Sequence, residues 1–198
     1  MSGYYIYTQA RDAAWRFILR NKLCELPVQL FDICQRNGIV LLRDPDNYYL
    51  CKDQHGVTYV RNSRFFILVN GKDSLEEQRF TIAHELGHIF LRHKMTDDGK
   101  YGRNYGVRLK PETPQEYQAE RFAMNILAPA CVLWMAGLTS TDEIAKNCNI
   151  PIEYARVRAD RMRELRNRNR FGTSKLEQEV MEQFSPYIKR INEIKASK

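Results

Sequence analysis

Two histidines four residues apart, His84 and His88, with Glu85 directly after the first, form the one stretch where metal-ligating side chains recur at a chemically meaningful spacing. On an α-helix, residues four apart lie one turn above each other, so two imidazoles can grip one metal ion from the same face. Glu85 points about a quarter-turn away, where it misses the metal yet reaches a water beside it. That is the place of a general base in metal-assisted peptide hydrolysis. The bare pattern also arises by chance, so the elements that carry it have to decide.

Asn70-Gly71 reads as the end of a strand, and Ser74 with Glu77 reads as a capping box opening a helix that runs to about residue 93. At 100° steps, Phe80, Ile82, Ala83, Leu86, Gly87, Ile89, Phe90 and Leu91 fill a broad apolar arc, leaving a narrow strip of Thr81, His84, Glu85, His88 and Arg92. A polar strip on so apolar a helix must face a partner, solvent or an ion, which puts the histidines in a cleft. His93 falls on the apolar arc and is read as a structural histidine. A three-histidine site of the metzincin kind is excluded by Leu91 and Lys94, which stand where that motif needs Gly and His.

Two histidines leave a zinc site short of one protein ligand. Thr113-Pro114-Gln115-Glu116 has the grammar of a helix start, which offers Glu116 a capping role. On the wheel, however, Glu116 and Glu120 lie beside Ala119, Ala123, Ile126 and Leu127, with Gln118, Arg121 and Asn125 on the opposite, solvent side. A carboxylate on a core face is costly unless paired or metal-bound, so Glu116 is the expected third ligand of one Zn2+. Glu120, one turn later, either accepts the other N–H of a ligating histidine and so orients it, or serves as a buried ion-pair partner.

The scaffold that must position these groups reads as α+β. The chain has 198 residues, 43% of them apolar, enough for a proper core. Ala10, Ala13, Ala14, Phe17 and Ile18 mark a helix over 10–21, and Pro27 opens a second that stops at Asn37-Gly38. Ile39–Leu42, Tyr48–Cys51, Val57–Val60 and Phe65–Val69 then read as strands of a small, mostly antiparallel sheet. The edge of Phe65–Val69 is the expected cradle for an extended substrate. Residues 94–113 read as a long irregular loop, with Tyr101, Arg103 and Tyr105 as candidates to support an oxyanion.

After Pro129, Ser140 and Glu143 form another capping box, and the two helices over 141–148 and from Pro151 onward resemble a helix-turn-helix. Much of the net charge of +7 belongs to the arginine-rich stretch 156–170. Docking a protein is the preferred use of that face over direct DNA binding, because Ile152-Glu153-Tyr154 opens the second helix with an acid where base readout needs Asn, Gln or Arg. Two amphipathic pieces around Ser185-Pro186 form a tail. The expected organisation is therefore 1–130 as a metallopeptidase-like domain, 131–170 as a helix-turn-helix-like helical subdomain and 171–198 as the tail. His55, near a presumed turn at Gly56, is read as a surface-loop residue. Five widely spaced cysteines without a CxxC pair argue against a disulfide framework, and the N-terminus has no export signal. No apolar run is long enough to span a bilayer, so the expected setting is cytoplasmic.

With Arg79–His88 ahead of Glu116-x-x-Ala119-x-x-Phe122-Ala123 and Leu127-Ala128-Pro129, the chain resembles the ImmA/IrrE family of metallopeptidase-like proteins from about Ala10 to Pro129. The resemblance implies a gluzincin-like zinc site with His84, His88 and Glu116 as ligands and Glu85 as the catalytic carboxylate. It also implies cleavage or inactivation of a helix-turn-helix repressor, in the service of a mobile element or a stress response. The family usually has Asn or Asp where this chain has Glu120. A contrasting expectation is a non-catalytic regulatory module that binds a repressor or DNA, with zinc as structural glue.

Overall fold

The computed structural model describes residues 3–46, 48–51, 54–94, 100–104 and 113–197. It is α+β, and the chain divides into two compact units, Met1–Ala10 with Gln29–Ala123, and Arg11–Val28 with Met124–Lys198. Helix α1 (Gly3–Arg20) contributes residues to both. No helix among the described residues is long and apolar enough to cross a membrane.

In the first unit, α2 (Leu30–Arg36) leads to β1 (Val40–Asp44), β2 (Gln54–Arg61) and β3 (Arg64–Asn70). Helix α3 (Leu75–Phe90), strand β4 (Lys100–Asn104) and α4 (Pro114–Leu127) follow, the last ending beyond the unit's boundary. The strand order is β1-β3-β2-β4, with β1 parallel to β3 and the other two pairings antiparallel. Asn62 and Ser63 both take positive φ, 50° and 59°, the backbone of the tight turn whose twist suits a two-residue hairpin between β2 and β3.

The sheet departs from expectation in three places. Tyr48–Cys51 is not a strand, because the Asp44 carboxylate accepts the backbone N–H groups of Tyr48 (2.9 Å), Tyr49 (2.7 Å) and Leu50 (3.2 Å) and folds them into a local turn. The fourth strand instead comes from Lys100–Asn104, inside the stretch expected to be irregular, where pairing with β2 supplies order that the polar sequence does not announce. Phe65–Val69 offers no free edge, since β3 is flanked by β1 and β2. Its continuous apolar run is that of a strand enclosed by neighbours. Among the described residues the edges are β1 and β4.

Helix α3 packs across β2, β3 and β4. It lies so close to the sheet that a Cβ on Gly56 would sit 2.5 Å from Thr81 Cγ2 and 2.9 Å from the Leu68 carbonyl oxygen. A larger residue on β2 at that point would lift the helix off the strands. Ser74 Oγ accepts from the Glu77 N–H at 3.1 Å, as the cap requires. Helix α2 starts at Leu30 rather than at Pro27, and α3 stops at Phe90 rather than near 93. His55 lies in β2, half-buried, with Nδ1 2.7 Å from Asp73 Oδ2, and so is not on a loop.

The second unit holds a short helix that the sequence did not suggest, α5 (Ala130–Met135), followed by α6 (Thr141–Cys148) and α7 (Ile152–Asn167). Ser140 and Glu143 form the full reciprocal capping box, and Asn149 ends α6 in the left-handed conformation that turns the chain into α7. The arginines of α7 do not form one solvated face. Arg158 is buried and donates to the Met124 carbonyl at 2.8 Å and to Asn125 Oδ1 at 3.3 Å. Arg161 pairs with Glu164 at 2.7 Å, Arg163 pairs with Asp160, and Arg166 lies over the Trp134 ring.

The tail helices α8 (Lys175–Gln183) and α9 (Ser185–Ala196) dock on their own chain. Gln183 Nε2 donates to the carbonyls of Leu23 (2.6 Å) and Ile18 (3.1 Å), tying α8 to the end of α1 and the turn after it. Arg190 pairs with Glu25, and Lys195 reaches Glu143 at 2.7 Å.

Candidate metal centre

The capped α3 buries the part of the polar strip that lies within it, Thr81, His84, Glu85 and His88. His84 is 4% exposed, His88 2% and Glu85 0%. The four-residue spacing brings His84 Nε2 and His88 Nε2 to 3.0 Å of each other. Glu116, in the first turn of α4, completes the group, with Oε2 3.0 Å from His84 Nε2 and Oε1 3.4 Å from His88 Nε2. Its competing role as a cap is resolved by geometry. Thr113 Oγ1 accepts the Glu116 backbone N–H at 3.2 Å, while the Glu116 carboxylate turns away toward the histidines.

These three side chains form a cluster that could hold a metal ion, with one ligand atom from each within 4.8 Å of the others. Ligand arms of 2.0–2.1 Å at tetrahedral angles predict edges of about 3.3–3.4 Å between donor atoms. The observed separations are of that order: 3.0 Å between the two Nε2 atoms, 3.0 Å from His84 Nε2 to Glu116 Oε2 and 3.4 Å from His88 Nε2 to Glu116 Oε1, each carboxylate oxygen facing one histidine. Burial by itself would raise the Glu116 carboxyl pKa. The hydrogen bonds and charge of His84 and His88 outweigh burial and hold it well below the usual carboxylate range. An anionic oxygen beside two imidazole nitrogens is a donor set suited to zinc.

Two groups that wheel geometry placed elsewhere also belong here. His93 Nδ1 lies 3.0 Å from His88 Nδ1, and His93 Nε2 lies 3.1 Å from Gln118 Oε1. An α3 that continues through residue 93 would put His93 on the apolar arc. The helix stops at Phe90 instead, and Arg92 takes φ +55°, so the chain doubles back and the His93 N–H donates to the His88 carbonyl at 3.0 Å. Burial, and then the charge of His88, lower the His93 pKa to about 4 against weaker opposing effects of Gln118 and Glu116, so this ring is neutral at pH 7. Gln118 is correspondingly half-buried rather than solvated, and Asn125, also assigned to the solvent side of α4, is buried beneath Arg158. In sequence, the only sign of this arrangement was a histidine just past a helix end.

Glu120 is buried, and its Oε1 lies 3.4 Å from a guanidinium nitrogen of Arg121, which itself stands over the Tyr117 ring. Tyr105 and the side chains of Tyr101 and Arg103 lie outside the described residues. The β4 backbone that carries Tyr101 and Arg103 runs beside α3.

A metal-competent His-x-x-x-His helix packed across a small mixed sheet, with a carboxylate supplied by the following helix, defines a metallopeptidase-type fold. Residues 34–160 match the IrrE N-terminal-like domain family, Peptidase_M78, and the chain belongs to that family. No curated protein matches the chain at a significant level.

Proposed function

We propose that this chain is a zinc-dependent endopeptidase of narrow specificity that cleaves a helix-turn-helix transcriptional repressor, derepressing a mobile element or a stress response. The observation that carries the peptidase reading is the convergence of His84 Nε2, His88 Nε2 and the Glu116 carboxylate, close enough together to hold one metal ion, with a donor set that suits zinc. Zinc bound there supplies Lewis acidity, polarising a peptide carbonyl and making water a nucleophile at neutral pH. His84, His88 and Glu116 hold the ion. Glu85 takes the proton of the attacking water and returns it to the leaving amine. Its place on α3, directly after His84 and buried with it, supports that role. Glu120, buried one turn after Glu116, is assigned the role of an orienting carboxylate for a ligating histidine.

Strand β4 is the edge of the sheet beside α3, so an extended peptide can add to it as a further strand and present its backbone to the cluster. Family membership supports a protein substrate; the repressor is the substrate that the sequence resemblance implies. Five free cysteines, three of them buried, support a reducing, cytoplasmic setting. The test co-expresses wild type or Glu85→Gln with a helix-turn-helix repressor from the same genome. Wild type is expected to yield one discrete repressor fragment, and Glu85→Gln none while keeping its zinc. Derepression by Glu85→Gln with the repressor intact would replace this reading with a non-catalytic regulatory module.

A further inference from the structure

His93 has a second use that follows from which proton sits on which nitrogen. For His88 to offer a lone pair to the cluster from Nε2, its proton must be on Nδ1. That Nδ1 lies 3.0 Å from His93 Nδ1, and two nitrogens at this distance need one proton between them. Two arrangements are available. In one, His88 Nδ1–H donates to His93 Nδ1, and the His93 proton lies on Nε2. In the other, His93 Nδ1–H donates to His88, which forces the His88 proton onto Nε2, pointing at His84 and Glu116, where no metal can then bind.

The far side of the ring selects the first arrangement. His93 Nε2 lies 3.1 Å from Gln118 Oε1, a carbonyl oxygen that can only accept, so the His93 proton is drawn to Nε2. The Gln118 amide in turn donates from Nε2 to Gln9 Oε1 at 3.4 Å, which keeps its oxygen toward His93. Every donor in the row from His88 through His93 and Gln118 to Gln9 points away from the cluster. The near-perpendicular rings of His88 and His93, at 79°, are compatible with an in-plane N–H meeting an in-plane lone pair.

We infer that His93, fixed by Gln118, is a positioning residue that holds His88 in its metal-competent tautomer. This inference rests on the zinc reading above. Residues in this position behind a ligating histidine characteristically set metal affinity, and their loss costs about 10–100-fold. The role is usually filled by a carboxylate or a backbone carbonyl, and here a neutral imidazole fills it.

The test measures zinc affinity of the purified full chain by competition with a chromophoric chelator, for wild type, His93→Phe, His93→Asn and Gln118→Leu. Phenylalanine keeps a ring but has no acceptor, whereas the asparagine Oδ1 can stand where Nδ1 stood. His93→Phe is expected to weaken zinc binding about 10–100-fold and His93→Asn no more than about threefold, with Gln118→Leu between them. The long-range 15N–1H spectrum of the zinc-loaded wild type is expected to show His93 as the neutral Nε2–H tautomer. Equal zinc affinity in wild type and His93→Phe overturns the inference. So does an equal loss in His93→Asn and His93→Phe, which would mean packing alone, or a His93 proton on Nδ1. A wild type that binds no zinc overturns the metal reading itself, which separates that failure from this one. Should His93→Phe not fold, the spectrum and the comparison of His93→Asn with Gln118→Leu still decide.

Discussion

Gly87 and Ala119 meet backbone to backbone: a Cβ on Gly87 would lie 2.9 Å from Ala119 Cα and 3.0 Å from its carbonyl oxygen. This contact sets the separation of α3 and α4. Gly87 directly precedes His88, and Ala119 follows Glu116 by three residues, so the same contact sets the reach of Glu116 toward the histidines.

Glycine to alanine inside a helix ordinarily stabilises it by about 1 kcal/mol. Gly87→Ala should do the reverse. Neither opposing backbone atom can move alone, so α4 must shift, and an overpacking cost of about 1–3 kcal/mol is expected in urea unfolding. Zinc affinity should fall at least about tenfold in the same protein, because Glu116 is displaced with its helix. Alanine tolerated with unchanged affinity would mean that the helix spacing is set elsewhere.

Glu116→Gln keeps the size of the side chain but removes the charge and replaces one of its two accepting oxygens with a donor. Zinc affinity in a chelator competition should drop by more than about a hundredfold, beyond what loss of an outer-shell partner costs. The circular dichroism spectrum should stay that of wild type. An unchanged affinity would show that the carboxylate is only the partner of two histidines.

Glu143 ties α9 to the start of α6, accepting from Ser140 and from Lys195. Burial works to raise its pKa, but the Lys195 hydrogen bond, together with the backbone and hydroxyl of Ser140, lowers it from 4.5 to about 2. A carboxyl whose pKa is lowered by folding contributes stability that is complete above its unfolded value and lost as pH falls through the folded one. Wild type should therefore exceed Glu143→Gln by about 1 kcal/mol at pH 7, a figure discounted for the partial exposure of the pair. The gap should begin to close below about pH 4.5 and vanish near pH 2, as read by urea unfolding at stepped pH. A gap independent of pH would assign the effect to the uncharged part of the cap.

What the sequence determined by itself was local. The two histidines on one face of α3, the Ser74 cap and the Ser140–Glu143 box depend on neighbours three or four positions apart, and helix geometry alone relates such residues. The core-facing phase of Glu116 followed from the same periodicity, and it was enough to anticipate that the carboxylate meets His84 and His88. Tertiary structure alone decided where the chain reverses and which strands become neighbours. The parallel pairing of β1 with β3, the enclosure of Phe65–Val69 and the recruitment of Lys100–Asn104 depend on partners distant along the chain, which no local pattern encodes. His93 marks the boundary between the two kinds of information. One residue at positive φ, Arg92, carries it off the apolar arc that an uninterrupted helix would impose and sets its ring against His88.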